Sequence, residues 1–354
     1  MDKTLRSYFI YFGLLIVCFF LADQAEKRNN KKYVFWIALI LSFFMGFRNK
    51  TVGIDSRAYY NMFNATYQNI SVANSYNDPY FYRITRMIMK IKNDPYFVFL
   101  VIAIVTNFLA IYRLWDFRKM SSFKYSFLRY YTLFYAYQSN CMRQFIAMAI
   151  VFYGTRYLEK KDYIRFLVFV GIASVCHLAS ITAIGYIALE KFRWKDLDRK
   201  SMNFINASYL LSPLVLYFVL NTTSDRTENY LNSTSSLTSG YVSYILKIVL
   251  FFIFVYLNIR NNKEAIENNQ NIKLLLMYYF IGMLLNGLGF RYAQFERIGY
   301  FYYIYAGVYA GYVANEKYYR SVYRLIVLFI VIRSFYLLCG NNAMGQMPYL
   351  FNWE

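Results

Sequence analysis

The chain has 354 residues, 58% of them hydrophobic and only 16% charged. A globular domain carries roughly 25% charged residues, so an ordinary soluble fold, a disordered tract and a collagen-like repeat are excluded. With 40 Tyr, 34 Phe, 4 Pro and a mean hydropathy of +0.27, a nucleic-acid module is excluded too, despite a net charge of +20. This much apolar surface needs lipid. The composition predicts an all-α, polytopic integral membrane protein.

Apolar, aromatic-rich stretches fall at 7–22, 33–47, 96–115, 125–138, 144–158, 164–176, 177–189, 204–220, 241–259, 274–290, 298–314 and 325–339. Several are shorter than the about 20 residues of a perpendicular span, and their ends run into Tyr, Trp and Arg suited to the interface. The first run, closed by Ala22–Ala25, has the look of a secretory signal, but the many later spans make it a transmembrane helix. Cys18, Cys141, Cys176 and Cys339 have no CxxC or Cys/His metal spacing, so neither zinc nor a disulfide framework is expected.

Lys and Arg in the connections set the orientation. The connections 23–32, 116–124, 159–165, 190–203, 260–273 and 315–324 hold 21 of them, against 13 in the opposite set. The first set is expected in the cytoplasm, which gives twelve crossings with both termini outside. That count needs 164–189 to make two short legs meeting at His177. The tip would then sit within membrane thickness, lining protein or a wet cavity. Outer connections favour Arg over Lys, and Arg offers a planar fork to phosphate or carboxylate.

The chain is expected to form one membrane domain, with outer loops at 48–95 and 221–240. In the first loop, Asp55 or Ser56 could cap a helix running to Gln68. From Pro79, the residues Phe81, Ile84, Ile88 and Ile91 keep helical spacing, with Arg83, Arg86 and Lys90 on the other face. That is an amphipathic helix suited to the headgroup plane.

Ionisable groups at membrane depth are expensive, so each is a functional candidate. Just past the second span, Arg48 and Arg57 could grip phosphate while Asp55 positions or deprotonates a hydroxyl. The plainer alternative is an interfacial anchor before a capped helix. At Ser139–Gln144, Arg143 and Gln144 open a helix whose N-terminal amides suit an anion; snorkelling to headgroups is the alternative. His177, the single histidine, could move a proton near neutral pH, or be a packed core residue. Arg291 and Arg297 flank Glu296, either as a local ion pair or as an anion contact beside a base. Together these residues suit a diphosphate leaving group and a sugar hydroxyl nucleophile. No paired carboxylates with metal-ligand geometry are visible, so no metal or other cofactor is expected.

At these residues the chain resembles the EpsG-like family of Wzy-type polysaccharide polymerases. The resemblance rests on Phe47-Arg48 through Val52-Gly53-Ile-Asp55, on Tyr59-Tyr60, and on Met142-Arg143-Gln144-Phe-Ile-Ala147. It continues with Tyr157-Leu158-Glu-Lys-Lys161, Ile172-Ala173, His177-Leu-Ala-Ser180, Glu296-Arg297 and Tyr300-Phe301. It covers about residues 30 to 310, and its specificity lies in the ordered set.

The resemblance implies a GT-C-like glycosyltransferase of the bacterial inner membrane. Its substrate would be undecaprenyl-pyrophosphate-linked oligosaccharide, extended into O-antigen, capsule or exopolysaccharide, with membrane lipids and a chain-length regulator as partners. Arg48, Asp55, Arg143, His177 and Arg297 fall on its motif positions, whereas the 221–240 loop matches nothing in it. An O-antigen ligase would use the same donor. A lipid-linked oligosaccharide flippase is disfavoured by the one-sided charges and the lack of inverted-repeat symmetry. A membrane O-acyltransferase is disfavoured by the outer placement of His177.

Overall fold

The computed structural model describes residues 2–191, 270–288, 293–315, 320–342 and 344–354. Among them it is helical and holds no strand, only an isolated bridge between Arg48 and Phe351. The spans expected at 204–220 and 241–259, the 221–240 loop and Arg291 lie outside the described residues. The chain forms two compact units, Met1–Ile181 with Ala306–Glu354, and Thr182–Tyr305.

In the first unit, α1 (Lys3–Arg28) starts at Asp2, whose carboxylate accepts the Thr4 N–H. It ends at Asn29 in the left-handed conformation. At 1.5 Å per residue its length is about 39 Å, more than the about 30 Å of a hydrocarbon core. Next come α2 (Lys31–Gly46), α3 (Ser56–Gln68), α4 (Pro79–Ile91) and α5 (Pro95–Asp116). The expected helix to Gln68 is present, but Asp55 occupies its cap position without a side-chain cap bond.

After α6 (Phe123–Tyr130) the backbone loosens into a π-turn over Tyr131–Tyr135 and a 3-10 turn over Ala136–Ser139. The chain then enters α7 (Met142–Leu158) and α8 (Tyr163–Cys176). His177 is extended, and a 3-10 turn follows over Leu178–Ile184. The break expected at His177 is therefore present.

In the second unit, α9 (Gly185–Lys191), α10 (Gln270–Leu288) and α11 (Ala293–Tyr303) follow. A Cβ on Gly282 would sit 2.3 Å from the Tyr303 amide, so α10 and α11 approach each other closely. The Tyr302 hydroxyl donates to the Thr182 carbonyl at 2.8 Å. The first unit resumes through α12 (Tyr305–Asn315) and α13 (Arg320–Phe335).

Only α1 and α5, the latter continued to Lys119, are long and apolar enough to cross a membrane on their own among the described residues. The stretch expected as one span at 125–138 loses α-helical continuity at Tyr131, and that at 298–314 is interrupted at Ile304. Shorter apolar pieces remain at Tyr163–Cys176, Leu178–Glu190, Leu274–Asn286 and Val327–Gly340.

Helix α5 packs against both α2 and α7, α7 packs on α8, and α1 on α2 and α6. Apolar side chains surround α7, and it is accordingly buried on nearly every side. Arg113 of α5, 1% exposed, ties it to α7. Its Nε donates to Thr155 Oγ1 at 3.1 Å and its Nη2 to Glu159 at 2.5 Å. Meanwhile Phe9, Phe12, Ile16 and Phe20 form an exposed apolar stripe on α1, and Ile164, Val168, Ile172 and Val175 form another on α8. Water does not tolerate such stripes, and lipid does.

Helix α4 starts at Pro79 as expected, and its apolar residues divide between two faces. Phe81, Tyr82, Thr85 and Met89 face the interior, while Ile84 and Ile91 are exposed together with Tyr80 and Met87. Tyr82 packs on Phe63, Phe81 and Tyr76. That aromatic packing turns the helix so that its isoleucines point outward.

Residues 344–354 return across the unit as a strap. Gln346 accepts from the Tyr11 hydroxyl at 2.9 Å and donates to Ser139 Oγ at 2.5 Å. The Gly53 N–H donates to the Gly345 carbonyl at 2.7 Å, and Arg6 pairs with both oxygens of Glu354.

Candidate active site

The loop after α2 is pinned by shape. Gly53 has φ 99°, a conformation open to glycine at no steric cost. A Cβ there would meet Asn140 Oδ1 and Ser139 Oγ at 2.8 Å. Ser56, at the start of α3, donates to the Val52 carbonyl at 2.7 Å. The motif-bearing segments 48–56 and 139–144 are thus packed directly on each other.

Arg48 is enclosed there, 1% exposed. Its Nη1 donates to the Met45 carbonyl, Nε to Ser56 Oγ at 3.4 Å and Nη2 to Met142 Sδ at 3.3 Å. The guanidinium lies over the Phe99 ring, 4.6 Å from its centroid. Burial pulls it down to about 10, which leaves it cationic at neutral pH. No carboxylate lies within salt-bridge distance of it among the described residues. An anion would reach Arg48 only through the interior.

The cluster with free chemical capacity lies elsewhere, on a residue the sequence reading missed. Asp78 stands immediately before Pro79 in the left-handed region, φ 60° and ψ 60°, and does not cap α4. Its carboxylate instead accepts from three directions. His177 Nδ1 lies 2.8 Å from Oδ2, the Leu178 N–H donates to Oδ1 at 3.1 Å, and Arg143 Nη1 lies 3.1 Å from Oδ2. Arg143 Nη1 also donates to the Asn77 carbonyl. Burial works to raise the Asp78 carboxyl, but the His177 and Leu178 hydrogen bonds and the Arg143 charge outweigh it and hold it below the usual 3.8.

An ionised carboxylate only accepts, so a neutral His177 carries its proton on Nδ1. That leaves Nε2 as the lone-pair nitrogen. Nε2 is buried and has no hydrogen-bond partner among the described residues, and the same holds for Arg143 Nε. Arg143 also bonds the Tyr59 phenol and lies 5.7 Å from the centre of the Tyr82 ring. It sits on the first turn of α7, where orphan amides add positive potential. The result is a held imidazole with an unused basic nitrogen, beside an oriented guanidinium.

Of the expected site residues, the structure brings Arg143 and His177 together. Gln144 is buried on α7, while Asp55 and Arg57 are exposed at the head of α3. Glu296 accepts from the Tyr300 hydroxyl at 2.8 Å, and Arg297 is exposed; both belong to the second unit. The signal that could have found Asp78 is Asn77-Asp78-Pro79, a helix start with a carboxylate. That signal reads as a cap, and the partner is 99 residues away.

Apolar helices with outward-facing stripes point to a helical membrane protein, and the charged cluster at its helix ends is the candidate site. A model of the EpsG family matches residues 31–351, and the chain belongs to that family. Membership points to polysaccharide biosynthesis at a membrane. No curated protein and no solved structure gives a significant match.

Proposed function

We propose that the chain is a glycosyltransferase of the Wzy polymerase type, crossing the membrane about twelve times. In this reading it joins undecaprenyl-pyrophosphate-linked repeat units at the outer face of the bacterial inner membrane. The product would be O-antigen, capsule or exopolysaccharide. The observation that carries the reading is the meeting of Arg143 and His177 on Asp78.

His177 Nε2 takes the proton of the acceptor sugar hydroxyl as its oxygen bonds to the donor's anomeric carbon. The bond from that carbon to the phosphate oxygen breaks, and the lipid diphosphate leaves with the electron pair. Arg143 stabilises the charge that develops on it. Asp78 keeps the imidazole in the Nδ1–H form and stabilises it once protonated. Arg57, exposed at the head of α3, is a second candidate contact for the anion.

The test is complementation of a strain lacking the gene with His177→Ala or Arg143→Ala, both checked for membrane levels. Single-repeat glycans from a normally accumulated variant support the reading. Long chains from both variants would refute it.

A further inference from the structure

Apart from the Asp78 cluster, the first unit holds a small, mostly apolar chamber beside Arg48 with a few polar side chains in its wall. Met45, Arg48, Phe99, Thr106, Gln138 and Met142 are among the residues that line it. Two of its lining side chains hold oxygens without hydrogen-bond partners among the described residues, Thr106 Oγ1 and Gln138 Oε1. Both residues are almost fully enclosed, at 2% and 3% exposure. Buried polar atoms are rarely left unpaired in folded proteins.

The amide orientation of Gln138 is fixed from behind. Its Nε2 donates to the Tyr130 hydroxyl at 2.8 Å and to Asn107 Oδ1 at 3.3 Å. Asn107 in turn spends its own Nδ2 on the Ala103 carbonyl at 2.9 Å. Flipping Gln138 would break this chain, so an acceptor oxygen is what remains. The chamber leaves about 10 Å³ in which the centre of a water-sized sphere can move, about the space of one molecule.

We propose that this chamber is a hydration site that holds one ordered water between Thr106, Gln138 and the Arg48 guanidinium. The water donates to Gln138 Oε1 and accepts from the Thr106 hydroxyl. Arg48 repels a cation, and the Gln138 carbonyl oxygen opposes an anion, whereas water answers both. The site is independent of the polymerase reading.

The test is a structure of the full-length protein in lipid nanodiscs, at a resolution that shows ordered water. One density peak within hydrogen-bond distance of Thr106 Oγ1 and Gln138 Oε1 is expected. An empty chamber would overturn the proposal, and so would a peak that is replaced when chloride is exchanged for bromide, since that marks an anion.

Thermal unfolding supplies a second arm. Thr106→Val, similar in shape but without the hydroxyl, is expected to lower Tm by about 2–4 °C, while Thr106→Ser keeps it. Thr106→Val with unchanged or raised Tm would mark a dry chamber and overturn the proposal.

Discussion

The pentapeptide Asn-Asp-Pro-Tyr-Phe occurs twice in this chain, at 77–81 and at 93–97, and both copies start a helix. Asp94 does what the local sequence suggests. Its backbone is extended, φ −153°, and its side chain accepts the Tyr96 N–H at 2.9 Å. Asp78 instead adopts φ 60°, leaves its helix uncapped and turns its carboxylate to His177, Leu178 and Arg143. Its side chain is 9% exposed against 29% for Asp94. Identical local chemistry therefore serves as a helix cap in one place and as a tertiary hub in the other. What packs opposite each carboxylate decides between them. A left-handed aspartate costs backbone energy, and such cost is found where surrounding contacts impose it.

This contrast can be broken in order of expected effect. The largest belongs to His177→Ala, which removes the proposed base. It should lower polymerisation by about 10²–10⁴-fold with membrane levels maintained, read from glycan banding against protein abundance. Equal banding at equal abundance would remove His177 from the chemistry.

Next is Asp78→Asn, which keeps the shape but not the charge that fixes the imidazole tautomer. A loss of at least roughly 10–100-fold is expected, the size seen when the partner that orients a metal-ligating histidine is removed. The pH–rate profile should shift along with it, which a purely structural Asp78 would not cause.

The twin residue supplies the control. Asp94→Ala should cost about 1 kcal/mol of stability, as loss of an N-cap does, with turnover per molecule unchanged. A turnover loss matching that of Asp78→Asn would erase the distinction between the two copies.

The smallest effect is on pH. The Asp78 carboxyl is held below its ordinary 3.8, so its contribution to stability is fully present above that value. It fades only as pH falls through the lower folded value. The stability of Asp78→Asn should therefore differ from that of the parent by a constant amount above about pH 3.8 and converge with it as pH falls below that value. Curves that stay parallel throughout would show that the carboxylate is not depressed.

Much of this was legible in the sequence, for a local reason. The apolar lengths of α1 and α5, the start of α7 at Met142 and the break at His177 depend on neighbouring residues, and each stands in the structure. Less legible was the orientation of α4. Counting apolar positions groups Phe81 with Ile84, Ile88 and Ile91 on one face, whereas the rings of Phe81 and Tyr82 meet Phe63 in the interior and Ile84 and Ile91 stay exposed. In the sequence Arg48 suits either a phosphate contact or an interfacial anchor, and packing encloses it between Met45, Ser56, Met142 and Phe99.

From the sequence alone came a lipid-bound helical chain with guanidiniums and one imidazole near its helix ends. Apolar run length and cap chemistry are short-range, so a linear reading reaches them. Only the tertiary structure chose which of two identical aspartates meets that imidazole. The choice rests on α4 packing against α8 across 99 residues of chain, and no local preference encodes a contact of that separation.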